Sequence, residues 1–493
     1  MDHHNEAVTK IAKRVKEFHA QGKPFRIYHG STNTTRRATR SPDLAIDISG
    51  LKSVLSVRKE TKTALVEPNV PMDALVKETL KHGLVPPVVM EFPGITCGGA
   101  FAGTGGESSS FRWGTFDRIV NGVEIVLADG EVVWASEAEN SDLFDASAGA
   151  FGTFGVVTLL EVQLVPAKSK LVRLSYHSVQ SAAEATVTFR QLCEVDAVTG
   201  KYAWDYIDGI MFSPRSGVII TGKILDEPEK VTATYSRAID NWYYSDVQDK
   251  LKAHLDECWV DVVPIQDYLF RYDRGAFWCA RHSFDYLGLP FNTFTRWLLD
   301  GFMHTRDLFN MLHATGTMIN SIIQDLCIPA KNVEMFISYA TVEFGLWPLW
   351  LCPIKPNAGR GIFQLSPGRG DGRDDLSDDL WINVGLWGRA PPNVEEAVAA
   401  NMRLEEVVQE LGGYKWLYGQ TFYTEEQFWD IYPKKQYDEL RIKYRATSLP
   451  SAYDKVKTEV RTEREKAAGG WKEIWPFEAI IAFFGAITGF GKK

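Results

Sequence analysis

Cysteine is scarce in this chain of 493 residues, with six in all, at positions 97, 193, 258, 279, 327 and 352. None belongs to a Cys-x-x-Cys pair or stands at zinc-ligand spacing from a histidine, so no metal site is expected. Their low density argues against a disulfide framework and for a reducing compartment. The start, Met1-Asp2-His3-His4-Asn5-Glu6, lacks the apolar core of a secretory signal. No run reaches the roughly 20 apolar residues that span a bilayer. Clustered Lys and Arg are also missing. With 54 basic and 63 acidic residues the formal net charge is −9, spread along the sequence, which argues against a nucleic-acid surface. There is no internal repeat.

Aromatic residues, by contrast, are plentiful: 15 Trp, 18 Tyr and 27 Phe. Many lie beyond residue 200, as in Trp242-Tyr243-Tyr244 and Leu346-Trp347-Pro348-Leu349-Trp350. Such residues either pack a core or line a deep pocket for a large, flat or apolar ligand. Near the C-terminus, Trp471–Phe490 holds the apolar run Ala479–Phe484 ahead of Lys492-Lys493. That pattern fits peripheral contact with a membrane surface and a buried terminal helix equally. Ser366–Asp375, rich in Gly, Arg and Asp, reads as a mobile surface loop.

The first third alternates short strands and helices. Ile11–His19 reads as an amphipathic helix, and Arg26-Ile27-Tyr28 as a strand leading into a polar turn, His29–Thr35. Leu44–Ile48 and Thr63–Glu67 are further strands. A helix starts at Pro71 and stops at His82-Gly83. Asn121–Leu127 and Glu131–Ala135 form a hairpin around Asp129-Gly130, because the turn needs positive φ. A helix follows from Asp142, then a strand, Phe154–Val165. Pro166 and a Lys-rich patch mark a boundary. The expected fold class is α+β, with one domain over residues 1–168, a cap over 169–444, and a return to the first domain over 445–493.

The chemistry-bearing stretch is Pro93–Ser110, with five glycines in nine residues, at 98, 99, 103, 105 and 106. Such density implies close backbone approach, and unhindered N–H groups in series make nests for anionic or carbonyl oxygens. The spacing lacks the third glycine of a dinucleotide-binding fingerprint and the Gly-Lys-Ser/Thr of a phosphate loop.

The order of segments is more telling. The turn at Tyr28–Thr35, the glycine loop, Asp129-Gly130, Asn140–Phe144 and Gly152-Thr153-Phe154-Gly155-Val156-Val157-Thr158 resemble the FAD-binding domain of the vanillyl-alcohol oxidase, or PCMH-type, flavoprotein family. Gly103–Ser110, Leu127–Gly130, Glu139–Phe144, Val165–Lys168, Pro348–Pro353, Trp381–Gly385, Leu417-Tyr418, Glu425–Trp429 and Pro450–Lys455 are similar to the Δ24-sterol reductase (Diminuto/Dwarf1) branch of that family. The likeness spans about residues 20–458.

That resemblance implies non-covalent FAD, held by Tyr28, His29, Gly30, Ser31, Thr32 and Asn33 of the first turn. The loop would add Thr96, Cys97, Gly98, Gly99, Ala100, Gly103, Thr104, Gly105, Gly106, Glu107, Ser108 and Ser109, and the later strand Gly152, Gly155, Val156 and Val157. It also implies NADPH as reductant and a sterol-like alkene as substrate, with a site acid to protonate one carbon as hydride reaches the other. Tyr418, Tyr423 and Glu107 are the candidate acids. Arg369 and Arg373 are a candidate 2′-phosphate site for NADPH. The relatives carry an N-terminal membrane segment that this chain lacks. Its setting is therefore expected to be cytoplasmic, or at the endoplasmic-reticulum membrane if the tail docks there. Two other readings stay open: a flavin oxidase or dehydrogenase of an alcohol or secondary metabolite, and a non-redox flavin-binding isomerase or lipid carrier. The sequence leaves the oligomeric state open.

Overall fold

A computed structural model describes residues 2–30, 42–254, 258–286, 288–315, 321–355, 361–363, 380–391 and 393–459. Ser31, Thr32, Asn33, the Arg369 and Arg373 loop and Trp471–Phe490 lie outside these residues.

The N-terminal half contains β1 (Arg26–Tyr28), β2 (Ala45–Asp47), β3 (Val54–Arg58), β4 (Thr63–Val66), β5 (Leu84–Val85), β6 (Val120–Leu127), β7 (Val132–Ser136), β8 (Gly155–Gln163) and β9 (Val165–Pro166). Its main sheet is antiparallel, in the order β3-β4-β8-β6-β7, while β1 pairs parallel with β2. Gly130 turns the β6–β7 hairpin at φ +84°. The first helix runs from Asp2 to Ala20, nine residues earlier than Ile11, where the sequence pattern begins. Val8, Ile11, Val15 and Phe18 bury its apolar stripe against Ile46, Val126 and Val156. The polar first turns are held down by His4, whose ring nitrogens lie 2.8 Å from Glu67 and 3.1 Å from Glu124. Periodicity of apolar residues cannot reveal an anchor of that kind.

The second half is built on β10 (Leu171–Val179), β11 (Tyr206–Ser213), β12 (Ser216–Ile224), β13 (Trp259–Pro264), β14 (Ser321–Pro329), β15 (Leu349–Ile354), β16 (Trp381–Arg389) and β17 (Tyr414–Lys415). They form one antiparallel sheet in the order β13-β10-β12-β11-β15-β16-β14-β17. Alternation along each strand gives the sheet two different faces. Ile207, Ile219, Ile322, Leu326, Leu351 and Val384 point to one face and pack under Phe189, Phe336 and Leu404 of three covering helices. Their neighbours Tyr206, Ile323, Trp350, Cys352, Trp381 and Trp387 point the other way and join the core of the N-terminal half. The same two-residue period delivers Asp208, Asp325 and Asn383 to that inner face, all buried.

Past β17 the polypeptide packs against the first half again. The ring of Tyr437 meets Phe154 edge-on at 5.6 Å, Tyr444 donates to Asp142 at 2.6 Å, and Arg445 pairs with Asp129 at 3.0 Å. Ala446 and Leu449 complete the core beneath the first helix.

Candidate functional site

Thr96 starts the glycine loop as an N-cap, its Oγ1 accepting from Gly99 N at 3.1 Å, and Cys97–Ala102 follow as a short helix. Most loop amides bond internally: Cys97 N to Val70 O at 2.9 Å, Gly98 N to Pro68 O at 2.8 Å, Gly103 N to Gly99 O at 2.9 Å and Gly105 N to Ala100 O at 3.0 Å. The amides of Thr104 and Gly106 have no acceptor among the described residues. Thr104 sits at φ +48°, which turns the loop just where these donors are presented.

Two of the glycines serve packing against the protein itself. A Cβ on Gly98 would stand 2.7 Å from Pro68 Cβ, and one on Gly105 would collide with Met90 Sδ. Ala100 is buried, and Cys97 points into the hydrophobic core, where burial pushes its thiol up beyond the usual range. Gly149 binds the segment Gly149–Val157 to the loop, its amide donating to Phe101 O at 3.2 Å. Gly152, at φ +71°, leaves room for Ile27 of β1, which a Cβ would approach to 2.6 Å. Gly155, Val156 and Val157 open β8, opposite Leu127, Val126 and Ile125. Tyr28 ends β1 beside Asp47, and His29 and Gly30 (φ +79°) continue from it. The described parts of the first turn, the loop and the later strand therefore converge.

The cap clasps the loop from above. Trp416 Nε1 donates to Thr104 O at 2.8 Å, Tyr268 donates to Ser108 Oγ at 3.0 Å, and Ile207 N donates to Ser108 O at 2.7 Å. Ser109 is buried beside them. Glu107 accepts from Arg271 Nη2 at 2.9 Å, and the same nitrogen donates to Asp208 at 2.7 Å. Tyr272 and Trp350 also donate to Asp208, at 2.9 and 3.1 Å. Burial, then the charge of Asp208, raises the Glu107 carboxyl, so this candidate acid is committed to a cross-domain network.

Tyr418 lies on the inner face and donates to Asp325 Oδ2, while Asn383 Nδ2 donates to Asp325 Oδ1 at 2.8 Å. Burial raises the Asp325 carboxyl; burial and the neighbouring Asp325 and Glu91 raise the Tyr418 phenol well above its ordinary value. Tyr423 sits elsewhere, its ring centre 5.8 Å from Lys415 Nζ beside the buried Lys415–Glu405 pair of 2.7 Å. Asp325, Asn383, Asp208, Arg271 and Glu91 were missed by the sequence reading. Its one usable signal was the pair Gln324-Asp325 inside the apolar run of β14, because a polar residue on each face of a buried strand demands a partner.

A glycine loop with two unspent backbone donors, packed under an aromatic-bearing sheet, suits a flavin nucleotide. A family model described as an FAD binding domain matches residues 6–136. Fold and site define an FAD-dependent oxidoreductase, with a PCMH-type FAD-binding domain in an α+β fold. The sequence is 30% identical to a Delta(24)-sterol reductase of Arabidopsis thaliana, covering 94% of this chain and 86% of the relative. Corresponding figures are 27%, 94% and 86% for the Pisum sativum protein of that name, and 26%, 92% and 86% for the Homo sapiens one. The chain belongs to the Delta(24)-sterol reductase family. Cytokinin dehydrogenase 4 of Oryza sativa is 31% identical, over only 31% of this chain and 28% of its own. Among the described residues no helix is long and apolar enough to cross a membrane.

Proposed function

We propose that this enzyme reduces an isolated carbon–carbon double bond in the side chain of a sterol or related triterpenoid, with NADPH as the electron source. The observation that carries this reading is the reach of the similarity: 94% of the sequence, cap included, matches a sterol reductase, whereas the cytokinin dehydrogenase match spans only 31%. Substrate choice resides in the cap, so likeness there bears on the reaction as likeness in a flavin module does not.

FAD, when bound, supplies the hydride. The amides of Thr104 and Gly106 would donate to it, with Tyr28, His29, Gly30 and the Gly152–Val157 segment as further contacts, and no covalent tether is needed. Phe92, Phe277, Trp350 and Trp387 form an apolar wall, with Phe277 5.1 Å from Trp387 and 5.7 Å from Phe92. That wall excludes water and aligns a rigid apolar ligand. Tyr418 Oη gives its proton to one alkene carbon as hydride arrives at the other. Asp325, held by Asn383, orients the phenol and returns a proton to it. In steady state, NADPH consumption should match saturated product one to one. Tyr418→Phe should lower turnover by about 10²-fold while NADPH still reduces the flavin at the wild-type rate. NADPH oxidation that yields peroxide and no saturated product would refute the reading.

A further inference from the structure

Glu91 lies on the segment Met90–Pro93, in the seam between the two halves. Met90 Sδ fills the space beside Gly105 of the glycine loop. The Phe92 ring stands 5.7 Å from both Trp387 and Phe277 of the cap. Pro93 borders an open cleft of about 490 Å³, lined also by Asp73, Lys77, Asp273, Arg274 and His304. Glu91 itself is only 8% exposed, and no other side chain among the described residues donates to its carboxyl. The titratable and charged groups that face it are Glu107 of the loop, Asp325 of β14, Arg271 of the cap and Tyr418. Arg271 is engaged by Glu107 and Asp208, so it offers Glu91 little compensation.

A carboxyl so placed, buried two residues from an open cleft and electrostatically coupled to Tyr418 and Asp325, has no structural ion pair to maintain. We propose that Glu91 is the proton reservoir of the site, passing its proton to the Tyr418–Asp325 pair after each reduction and regaining one from water through the cleft beside Pro93. This rests on the reading of Tyr418 as the immediate donor. The proton lost by Tyr418 to carbon is replaced by one from Glu91, whose carboxylate is then reprotonated from solvent, so the pair ends each cycle as it began. Burial first, then the charge of Glu107, pushes the Glu91 carboxyl up to about 8, which keeps its proton available at neutral pH. Above that value the reservoir empties.

The test combines infrared spectroscopy with steady-state and half-reaction kinetics on the full-length protein with FAD bound. A protonated-carboxyl band should be present near pH 7, vanish near pH 9, and be missing from Glu91→Gln at both. Steady-state reduction of a side-chain-unsaturated sterol, which needs Tyr418 reprotonated in every cycle, should run at a rate that falls above about pH 8. In Glu91→Gln that rate should drop roughly tenfold or more and lose its pH dependence, while NADPH reduces the flavin at the wild-type rate. Glu91→Asp should restore the pH dependence. An infrared band unaffected by Glu91→Gln, or identical pH profiles for variant and wild type, would overturn the reservoir role alone. Wild-type enzyme that no alkene reoxidises would overturn the reading of Tyr418 and the reservoir with it.

Discussion

At the residue scale the seam is governed by carboxyl groups removed from water. Glu107 and Asp208 share one guanidinium nitrogen of Arg271, and all three are almost fully buried. Such a group is held by its partner more than it stabilises the fold, since desolvation consumes most of the Coulomb gain. Removing the cation leaves two acids without compensation. Arg271→Met is therefore expected to cost about 3–5 kcal/mol in urea unfolding, and Glu107→Gln clearly less, because an amide oxygen still accepts from Arg271 and Asp208 still meets its charge. Equal losses would mean that Arg271 carries no special charge burden. None of this was legible in the sequence: Glu107 stood out there, but its partner lies 164 positions away. Long-range pairing of that kind has no local signal.

At the element scale the glycine loop was conspicuous because of its composition, yet the reason for each glycine was not. Gly98 and Gly105 are demanded by Pro68 and Met90, and among the donors the loop leaves unspent are the amides of Thr104 and Gly106. Gly98→Ala should push the Cys97–Ala102 helix off Pro68. The purified protein should then show a lower ratio of visible flavin absorbance to protein absorbance. Undiminished FAD content would contradict that packing. The helix Thr305–Thr315 offers a second case. Its first amide donates to Asp273 at 3.1 Å, and His304 just before it lies 2.5 Å from Asp273. Asp273, then Asp300, lifts the imidazole to about 10, against its ordinary value of 6.5. The stabilisation is complete below the unfolded value and is lost as pH rises through about 10. His304→Gln should flatten the fall of unfolding free energy over that interval, as followed by urea titrations at several pH values. In the cap, the strands carry their aromatics on the inner face, as Tyr206, Trp350 and Trp387 do, but the aliphatic outer face is just as buried, so apolarity alone did not tell which face looked inward.

At the scale of the whole molecule, the inner face of the eight-stranded cap sheet and the glycine loop meet in one continuous core. Pro166 and the Lys-rich patch after it were legible as a boundary, and there the chain leaves β9 for β10 of the larger sheet. The sequence did not show that Tyr418 and Asp325, 93 positions apart, would meet on the inner face of that sheet. In the proposed reaction, electrons held by the flavin go to a carbon–carbon double bond, with the proton coming from Tyr418. Stopped-flow mixing of anaerobically NADPH-reduced enzyme with a side-chain-unsaturated sterol, in parallel with oxygen, tests it most directly. The account predicts rapid return of the oxidised flavin band with the alkene, slow return with oxygen, and a product heavier by two hydrogens. Rapid reoxidation by oxygen with the sterol unchanged would contradict it.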